Sequence, residues 1–394
     1  MRLADLTTFR VGGPAADVTV AATAEELRAF VRSHPLRAAQ SPAELAQGPA
    51  GPDVLFVAGG SNLLVADEGF AGPVCVIRTS GLEWEEADGG DLVRVTAQAG
   101  HTWDALVAET VERGLAGLEA LSGIPGSVGA SPVQNVGAYG AEVADTLVSV
   151  RVLDRMTGEE RELAPEELGF GYRTSLLKRS AAQLGAVRYV VLAVTFALRA
   201  GGAQGGAPVR YGQLAGALGV ELGARVEVAA VREAVLALRA SKGMVLDPAD
   251  HDTWSAGSFF TNPILPLPVD EDGGRAAPES VLPAGAPAYP VRDPLTGEPD
   301  PAVVKTSAAW LIDHAGFTKG YALPGGRAGL SAKHTLALTN RGGAAAADIL
   351  DLAVHIRDGV ERAYGIRMEP RPAPRTLPPL AAGGGAPASP RPNP

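Results

Sequence analysis

A serine between a glycine and two phenylalanines is a candidate for a chemically active residue in this sequence. Residues 256–263 read AGSFFTNP, so Ser258 has apolar neighbours and no acid or base within several positions. A hydroxyl in that setting can be a nucleophile, a proton donor or a small residue in a turn. These residues alone favour the turn over a catalytic role.

Two glycine-rich segments could bring backbone N–H groups close to a ligand. The first, VAGGSNLLVADEGFAG, follows a predicted strand, and its residues Gly59, Gly60, Ser61 and Asn62 could hold an anion such as pyrophosphate. A tight turn that uses glycines for positive φ explains the same four residues equally well. This segment by itself leaves both interpretations open.

The second glycine-rich segment, GIPGSVGASPVQNVGAYG at residues 123–140, consists almost entirely of small residues. Small side chains over this length let the backbone approach a large flat ligand. The segment fits neither the dinucleotide fingerprint G-x-G-x-x-G nor the phosphate loop that ends in Lys-Ser/Thr. A glycine-rich connector is the alternative, although connectors of this length without function are uncommon.

The elements that must position these residues are strands mixed with a few helices. Strands are predicted at VTV, VLFVAG, VCVIRT, LVRVTAQ, VSVRVLD and RYVVLAVTFAL, with a hairpin turn at DRMTGE. Thr23 and Glu26 have the spacing of a capping box at a helix start. A second, amphipathic helix is predicted where Trp103, Leu106, Val107 and Val111 share one face.

The last third of the chain has two predicted helices and two segments that we expect to be unstructured. One helix spans about Val228 to Ala240, and the other reads ILDLAVHIRDGVERAYG, with an apolar stripe that ends at Gly365. Residues 264–302 and the tail from about Pro372 are rich in Pro and Gly, which is typical of disorder. GGAQGGAP, at residues 201–208, has the composition of a linker between domains.

Composition restricts the classes of function. The chain has 394 residues, of which 46% are hydrophobic, enough for two or three domain cores. No stretch approaches the ~18 apolar residues of a membrane span, and the start lacks the apolar block of a signal peptide. We therefore expect a cytoplasmic protein without a membrane partner. The net charge of −10 argues against a nucleic-acid surface.

Cysteine and histidine give little support to a metal or redox site. The single cysteine, Cys75, lies in the strand-like run VCVI, where a buried thiol acts as a small hydrophobic group. The six histidines are scattered, with no pair at helical ligand spacing. We expect no metal site.

Taken together, the motifs resemble the UDP-N-acetylenolpyruvoylglucosamine reductase family, FAD enzymes of bacterial peptidoglycan precursor synthesis. The resemblance is ordered along the chain and covers residues 5 to about 372, apart from the insert at 264–302. It runs through TTFRVGGPA, AGGSNLL, GLEALSGIPGSVGASPVQNVGAYGAE, FGYRTSLLK, RYGQL, LRASKGMVLDP, AGSFFTNP, SAAWLIDHAGFTKG and RMEPRP.

This resemblance implies an α+β fold. The expected architecture is a two-subdomain FAD-binding fold of the vanillyl-alcohol-oxidase/PCMH type, followed by a C-terminal α+β substrate-binding domain. We predict the two FAD-binding subdomains at residues 1–71 and 72–200 and the substrate-binding domain at 209–372. The insert at 264–302 lies in the substrate-binding domain, and residues 373–394 would be a disordered tail.

The resemblance also implies which residues bind the cofactor and which compound supplies its electrons. NADPH would reduce FAD, and no metal would take part. The FAD-binding residues would be Gly59, Gly60, Ser61, Asn62, Leu63, Ile124, Pro125, Gly126, Ser127, Gly129, Ala130, Gln134, Asn135 and Gly137.

The implied reaction is the reduction of UDP-N-acetylglucosamine enolpyruvate to UDP-N-acetylmuramate. Hydride transfer from flavin N5 to the vinyl methylene leaves negative charge on the adjacent carbon, which then needs a proton. Ser258 matches the serine that donates this proton in the family. Arg173, in GYRTS, matches the arginine that faces the substrate carboxylate, for which a guanidinium can make two parallel hydrogen bonds.

Three further residues match substrate-binding positions of the family. Lys242, in RASK, and Asn262, in FTNP, match residues that bind the diphosphate and carboxylate region of the substrate. Tyr211, in YGQL, matches a contact to the diphosphate. A solvated or turn-forming role remains open for each of the three.

One departure from the family pattern falls in MEPRP near the end of the chain. Arg371 stands where the family has a glutamate that supports the protonated intermediate, and Glu369 lies two positions earlier. Because residues two apart in an extended strand face the same side, we predict that Glu369 serves in its place. Thr261 also replaces a lysine that is common after the two phenylalanines.

Two alternatives to the reductase stay open. One is a flavin-binding paralogue with weakened or lost catalysis, which Arg371 supports. The other is a related FAD oxidase that acts on a different substrate, against which AGSFFTNP and SAAWLIDHAG argue. We expect a monomer whose partners are the small molecules NADPH and UDP-N-acetylglucosamine enolpyruvate.

Overall fold

A small parallel sheet is the first layer of the fold. The computed structural model describes residues 1–36, 54–87, 91–201, 205–269, 274–292, 297–371 and 373–375. Its first elements are β1 (Ala15–Ala21), α1 (Ala24–Ser33), β2 (Leu55–Val57), β3 (Leu63–Val65) and β4 (Phe70–Ile77). Strands β1, β4 and β2 pair in parallel in that order. The capping box predicted at the start of α1 is confirmed, since the Thr23 hydroxyl accepts from the Glu26 N–H and the Glu26 carboxylate accepts from the Thr23 N–H.

The second layer is an antiparallel sheet with the order β11-β10-β12-β6-β5, and β7 pairs with β12 at its side. The elements of this part of the chain are β5 (Leu82–Ala87), β6 (Leu92–Gln98), α2 (Trp103–Glu112), β7 (Leu115–Ala116), β8 (Gly137–Ala138), β9 (Ala141–Glu142), β10 (Leu147–Asp154), β11 (Glu160–Leu163), α3 (Pro165–Leu168), α4 (Leu176–Leu184) and β12 (Tyr189–Ala200). Strands β8 and β9 form a separate two-stranded sheet. The predicted hairpin between β10 and β11 is confirmed. Trp103, Leu106 and Val107 of α2 are buried against this sheet, and the Trp103 ring meets Phe196 of β12 edge-on.

The remaining elements form the third part of the fold. They are α5 (Gly212–Leu218), α6 (Val228–Ser241), β13 (Ile264–Pro266), β14 (Ala288–Tyr289), β15 (Val303–Thr306), α7 (Ala308–His314), β16 (Ala328–Leu330), β17 (Leu338–Asn340), α8 (Ala346–Tyr364) and β18 (Ala373–Arg375). The predicted apolar stripe of α8 is buried, and the helix ends at Gly365 in the left-handed conformation. A core cluster joins α7 and α8 to Phe259 and Phe260.

The expectation that residues 264–302 are unstructured is wrong for the part that the structure describes. Strands β13 and β14 lie in this insert, and both pair with β15 to make a three-stranded sheet. Leu267, Leu282 and Val304 bury a small apolar cluster beneath it. Paired backbone and buried leucines thus order a segment whose Pro and Gly content suggested disorder.

Two of the predicted domain boundaries fall within or at the start of observed strands. The limit at 71/72 falls inside β4, which pairs with β1 and β2, so this strand lies with the first sheet. The predicted tail begins with β18, which pairs in parallel with β3. The rest of that tail, residues 376–394, lies outside the described residues. The domain limits themselves stay a prediction.

The beginning of the chain is tied to the third part of the fold. The Thr8 hydroxyl donates to the Ser255 carbonyl at 2.6 Å, and the Asn340 side-chain amide donates to the Phe9 carbonyl at 2.9 Å. The first bond links Ser255, three residues before Ser258, to the beginning of the chain. In the described ranges, no helix combines the length and the apolar content that crossing a membrane requires.

Candidate active site

A cavity of about 570 Å³ lies where the three parts of the fold meet. Its wall combines the segment after β2, the second glycine-rich segment, the end of α6, and the residues before and at Ser258. Most of a large ligand would be enclosed by a cleft of this kind, with polar groups at a few fixed positions.

The two glycine-rich segments touch each other backbone to backbone at one side of the cavity. A Cβ at Gly59 would collide with the backbone of Gly126, and a Cβ at Gly60 would collide with the Leu6 carbonyl. Gly60 also has φ of 61°, which favours glycine. The sequence therefore uses glycine here because two stretches of main chain approach too closely for any side chain.

Two buried polar atoms of this wall lack a partner. Asn62 Oδ1 and Ser127 Oγ have no hydrogen bond within the part of the chain that the structure describes. Burying a polar atom without a hydrogen bond is costly, so a ligand that supplies the missing partners is expected. Together with the close glycine backbones, these atoms fit the flavin cofactor that the sequence motifs imply.

Most of the predicted cofactor-binding residues line the cavity, and two do not. Those in the wall are Gly59, Gly60, Ser61, Asn62, Leu63, Ile124, Pro125, Gly126, Ser127, Ala130, Gln134 and Gly137. Gly129 lies behind the wall, where a Cβ would collide with Ala99. Asn135 is buried, donates to the Glu142 carboxylate at 2.6 Å and accepts from the Ala144 N–H at 3.1 Å, so it holds the segment in shape.

Ser258 lies in the cavity wall, half-buried. Gly257, with φ of 71°, turns the chain before it, and the Phe259 N–H donates to the Leu336 carbonyl at 2.7 Å after it. The side chains of Phe259 and Phe260 are buried in the core rather than in the wall, so they anchor the segment. Within the described residues, the Ser258 hydroxyl has no hydrogen-bond partner, and it is free to bond to a ligand.

Arg173 also lies in the wall, and its backbone is strained. Its φ of 55° is uncommon for a residue other than glycine. The guanidinium donates to the Asn135 carbonyl at 3.0 Å and to the Gly137 carbonyl at 2.6 Å. Lys178 Nζ donates to the Arg173 carbonyl at 3.0 Å. These bonds fix the second glycine-rich segment and keep a permanent positive charge at the cavity.

The structure brings Arg371 into the wall and leaves Glu369 out of it. Glu369 is exposed, and its contribution is its carbonyl, which accepts from the Thr261 N–H at 3.0 Å. Residues 369–371 are not a regular strand, so the rule that positions two apart share a face does not apply. The geometry does not support the predicted role of Glu369.

Of the three predicted substrate-binding residues, two line the cavity. Tyr211 is 45% exposed and meets the ring of Tyr139 edge-on at 5.8 Å. Lys242 Nζ donates to the Gln213 side chain at 2.6 Å, and burial and then nearby Arg239 lower the pKa of Lys242. The exposed aromatic and the cation are suited to a polar, anionic part of a ligand.

Asn262 is not in the cavity wall. Its side-chain oxygen accepts from the Ala308 N–H at the start of α7 at 3.0 Å, and its N–H donates to the Tyr172 hydroxyl at 3.4 Å. The local, structure-forming role that the sequence left open is the one observed here.

Sequence reasoning missed Arg239 and His334, which both line the cavity. Arg239 Nη2 donates to the Met244 carbonyl at 2.8 Å, while its buried Nε has no partner in the described residues. Its position three residues before Lys242 at the end of a helix was a usable signal, because residues three apart share a face. His334 follows no local pattern, since only the long-range fold brings it to the wall.

The wall is strongly cationic. It contains Arg173, Arg239, Lys242 and Arg371, and among the described residues that line it there is no aspartate or glutamate. Clefts lined by charge of one sign attract ligands of the opposite sign. The arrangement is suited to a ligand with more than one anionic group.

Comparisons with known proteins agree with this geometry. Residues 49–164 match the model of an FAD binding domain, and residues 247–373 match the C-terminal domain of UDP-N-acetylenolpyruvoylglucosamine reductase. The UDP-N-acetylenolpyruvoylglucosamine reductase of Saccharopolyspora erythraea is 53% identical over 375 residues, covering 94% of this chain and 93% of the relative. That of Nocardia farcinica is 55% identical over 372 residues, covering 94% of this chain and 88% of the relative.

A solved structure is similar over nearly the whole chain. The crystal structure of the UDP-N-acetylenolpyruvylglucosamine reductase from Thermus caldophilus has a TM-score of 0.57 at 26% identity, and covers 95% of this chain and 97% of that one. The likeness therefore extends through all three parts of the fold.

Proposed function

The chain belongs to the UDP-N-acetylenolpyruvoylglucosamine reductase family, and from this membership we propose that it reduces UDP-N-acetylglucosamine enolpyruvate to UDP-N-acetylmuramate, with NADPH as the electron source. The predicted fold class is confirmed, with an FAD-binding domain followed by the C-terminal domain of the family. The chain is an FAD-containing oxidoreductase. Its predicted cytoplasmic location and monomeric state remain predictions.

The glycine-rich walls would hold FAD. Main-chain N–H groups of both segments, together with Asn62 Oδ1 and Ser127 Oγ, offer donors and acceptors to a ligand with a flat ring and a pyrophosphate. When bound, FAD supplies reversible two-electron chemistry, which no side chain of this wall can provide.

Ser258 would supply the proton in this reaction. Its hydroxyl has no partner among the described residues and lies in the same cavity as both glycine-rich segments, and this observation carries the proposal. A proton given to carbon leaves negative charge on the serine oxygen. The cations in the wall lower the energy of that charge, as an oxyanion hole does.

The cations would also orient the substrate. Arg173, fixed by its two bonds to main-chain carbonyls, presents a charge that needs no reorganisation when an anion binds. Lys242 and Tyr211 lie together around Tyr139 and would contact the diphosphate. In this proposal the reacting carbon would lie near Ser258 and the nucleotide towards the end of α6.

A second candidate is a flavin-binding paralogue without catalysis. Arg371 favours it, because the wall contains a cation where the family pattern has a carboxylate and offers no other acid. This candidate keeps the cofactor and the anion sites but has lost turnover.

The test is an assay of the purified protein with NADPH, with and without the enolpyruvyl sugar nucleotide. We expect NADPH oxidation that depends on the sugar nucleotide and a product heavier by two hydrogens in the mass spectrum. A yellow protein that forms no such product supports the paralogue. NADPH oxidation that needs oxygen instead of the sugar nucleotide would indicate an oxidase.

A further inference from the structure

We propose that Arg371 is an anion-binding residue of this cavity, which takes a carboxylate of the ligand next to Ser258. The choice of a carboxylate rests on the proposed function, whereas the binding of an oxyanion rests on the structure alone.

The main chain holds Arg371 between two walls of the cavity. Its N–H donates to the Phe259 carbonyl at 2.7 Å, one residue after Ser258. Its carbonyl accepts from the Gln134 side chain of the second glycine-rich segment at 3.3 Å. The position of this arginine is therefore fixed relative to the proton donor and to the predicted cofactor wall.

The guanidinium of Arg371 is only partly used. Nη2 donates to the Ala256 carbonyl, while the buried Nε has no partner within the described residues. A buried N–H without an acceptor is costly, so a ligand oxygen at this atom would be favourable. The planar edge of a guanidinium matches the two oxygens of a carboxylate.

Glycine at position 257 makes room for this group. A Cβ there would lie 2.8 Å from Arg371 Nη2, and the φ of 71° independently favours glycine. The chain therefore accommodates the guanidinium beside Ser258 in a built site, and the side chain is not merely folded in from the surface.

The positive charges around Arg371 favour the binding of an anion. Burial, and then the proximity of Arg173, lower the pKa of Arg371 to about 10, so the group stays charged at neutral pH. No aspartate or glutamate is among the described wall residues. Glu142, outside the wall, interacts with Arg173, whereas the charged groups that act on Arg371 are Arg173 and Arg239, opposed by Tyr172. An oxyanion near Arg371 and Arg173 relieves their repulsion.

A carboxylate is a better choice than a phosphate at this place. Lys242 and Tyr211 already offer a diphosphate site at the end of α6. Arg371 is next to the residue that would protonate the reacting carbon, and in the proposed substrate that carbon bears the carboxylate.

The test measures anion binding without turnover. Thermal unfolding of the protein as purified is followed with increasing D-lactate in one series and inorganic phosphate in another, at constant ionic strength. A ligand that binds only the native state stabilises it by RT ln(1 + [L]/Kd), so the rise of the unfolding midpoint with ligand concentration gives the dissociation constant Kd. Wild type is compared with Arg371→Gln and Arg371→Lys, and with Arg362→Gln, which removes an equal charge from an exposed site on α8.

We expect the half-saturating D-lactate concentration to rise roughly tenfold in Arg371→Gln and less in Arg371→Lys, since lysine keeps the charge but not the planar edge. Arg362→Gln should match wild type. Equal D-lactate affinity in Arg371→Gln and wild type would overturn the proposal, as would the absence of any D-lactate-dependent rise in the unfolding midpoint of wild type. If only phosphate binding depends on Arg371, the carboxylate assignment is wrong. If Arg371→Gln does not fold, the proposal is tested with Arg371→Lys instead. An unchanged D-lactate affinity in Arg371→Lys would contradict a planar contact between Arg371 and the carboxylate.

This outcome is independent of the proposed reaction. A wild type that turns over while Arg371→Gln retains its D-lactate affinity contradicts only the role of Arg371. A wild type that binds D-lactate through Arg371 but makes no product contradicts only the proposed function.

Discussion

A hydroxyl can protonate carbon only where the charge left on its oxygen is stabilised. Ser258 meets this condition through permanent cations in the same wall and through the absence, among the described wall residues, of a carboxylate that would oppose that charge. The same absence means that no acidic side chain of the wall can return the proton.

Arg173 has a structural role, and in the proposed reaction it also has a binding role, which a matched arginine can separate from the first. Arg179 likewise donates to two main-chain carbonyls, those of Gly169 at 2.8 Å and Leu168 at 3.4 Å, but it does not line the cavity. We predict that Arg173→Lys and Arg179→Lys each lower the free energy of unfolding by about 1–3 kcal/mol. Only Arg173→Lys should also raise KM for the sugar nucleotide, as steady-state kinetics would reveal. Equal KM changes in both variants would argue for a purely structural role.

We predict that His334 makes the stability of the folded chain depend on pH. Burial lowers its pKa to about 4 from the ordinary 6.5, helped by the positive charges of Lys242, Lys319, Arg239 and Arg371. The unfolded chain therefore binds a proton more readily than the folded chain between these two values. Stability that is complete above pH 6.5 should decline as the pH falls towards 4.

Urea unfolding across this pH range measures the effect of His334. We expect His334→Gln to flatten the decline, whereas His314→Gln, at an exposed position, should follow wild type. Identical pH profiles for the two variants would show that His334 is not the group responsible.

At the scale of elements, close backbone contacts of the first glycine-rich segment shape the cavity wall: Gly59 lies against Gly126, and Gly60 lies against Leu6. Gly60 and Gly158 both have positive φ, of 61° and 75°, but only at Gly60 would a Cβ meet other backbone. Gly158→Ala should therefore cost about 1 kcal/mol, the conformational term alone. Gly60→Ala should cost more and should weaken FAD binding, which dialysis and the flavin absorbance would measure. Equal effects of the two changes would mean that the close approach is unimportant.

Local sequence patterns predict elements where neighbours along the chain decide the structure. Thr23 and Glu26 lie one turn apart, and the apolar stripe of α8 repeats at the helical period, so both were predictable. The insert at 264–302 was not, because pairing with β15 orders it, and pairing partners cannot be read from Pro and Gly content. The same limit applies to β4, because its partners β1 and β2, and not its own residues, decide which sheet it joins.

At the scale of the whole molecule, the cavity exists because distant parts of the chain meet. Motifs predicted most of the residues in its wall, including Ser258 and Arg173. They could not predict that Asn262 accepts a hydrogen bond from the start of α7. Nor could they predict that Glu369 is exposed, because this depends on the long-range bridge between Pro370 and Phe260. His334 was missed for a related reason, since only the fold brings it to the wall, whereas the helical spacing of Arg239 from Lys242 was a usable signal.

The last described strand, β18, pairs with β3, the strand that follows Gly59 and Gly60. β18 pairs in parallel with β3, Ala373 with Leu63 and Arg375 with Val65. We predict that a chain ending at residue 375 binds FAD as the full chain does, and that one ending at residue 371 binds it several-fold more weakly, because β3 loses its pairing. Flavin titration of both would measure this. Equal affinity would show that β18 does not support the cofactor wall.

The most direct test of the central claim is whether reduced protein passes its electrons to the enolpyruvyl sugar nucleotide in a reaction that needs Ser258. Wild type, Ser258→Ala and Ser280→Ala are bleached with NADPH without oxygen, mixed with the sugar nucleotide, and followed by the return of flavin colour. The account predicts equal bleaching of all three, rapid recovery of wild type and Ser280→Ala, and recovery of Ser258→Ala slower by about 10²–10⁴-fold. Recovery of Ser258→Ala at the wild-type rate, or a wild-type protein that stays bleached, would contradict it.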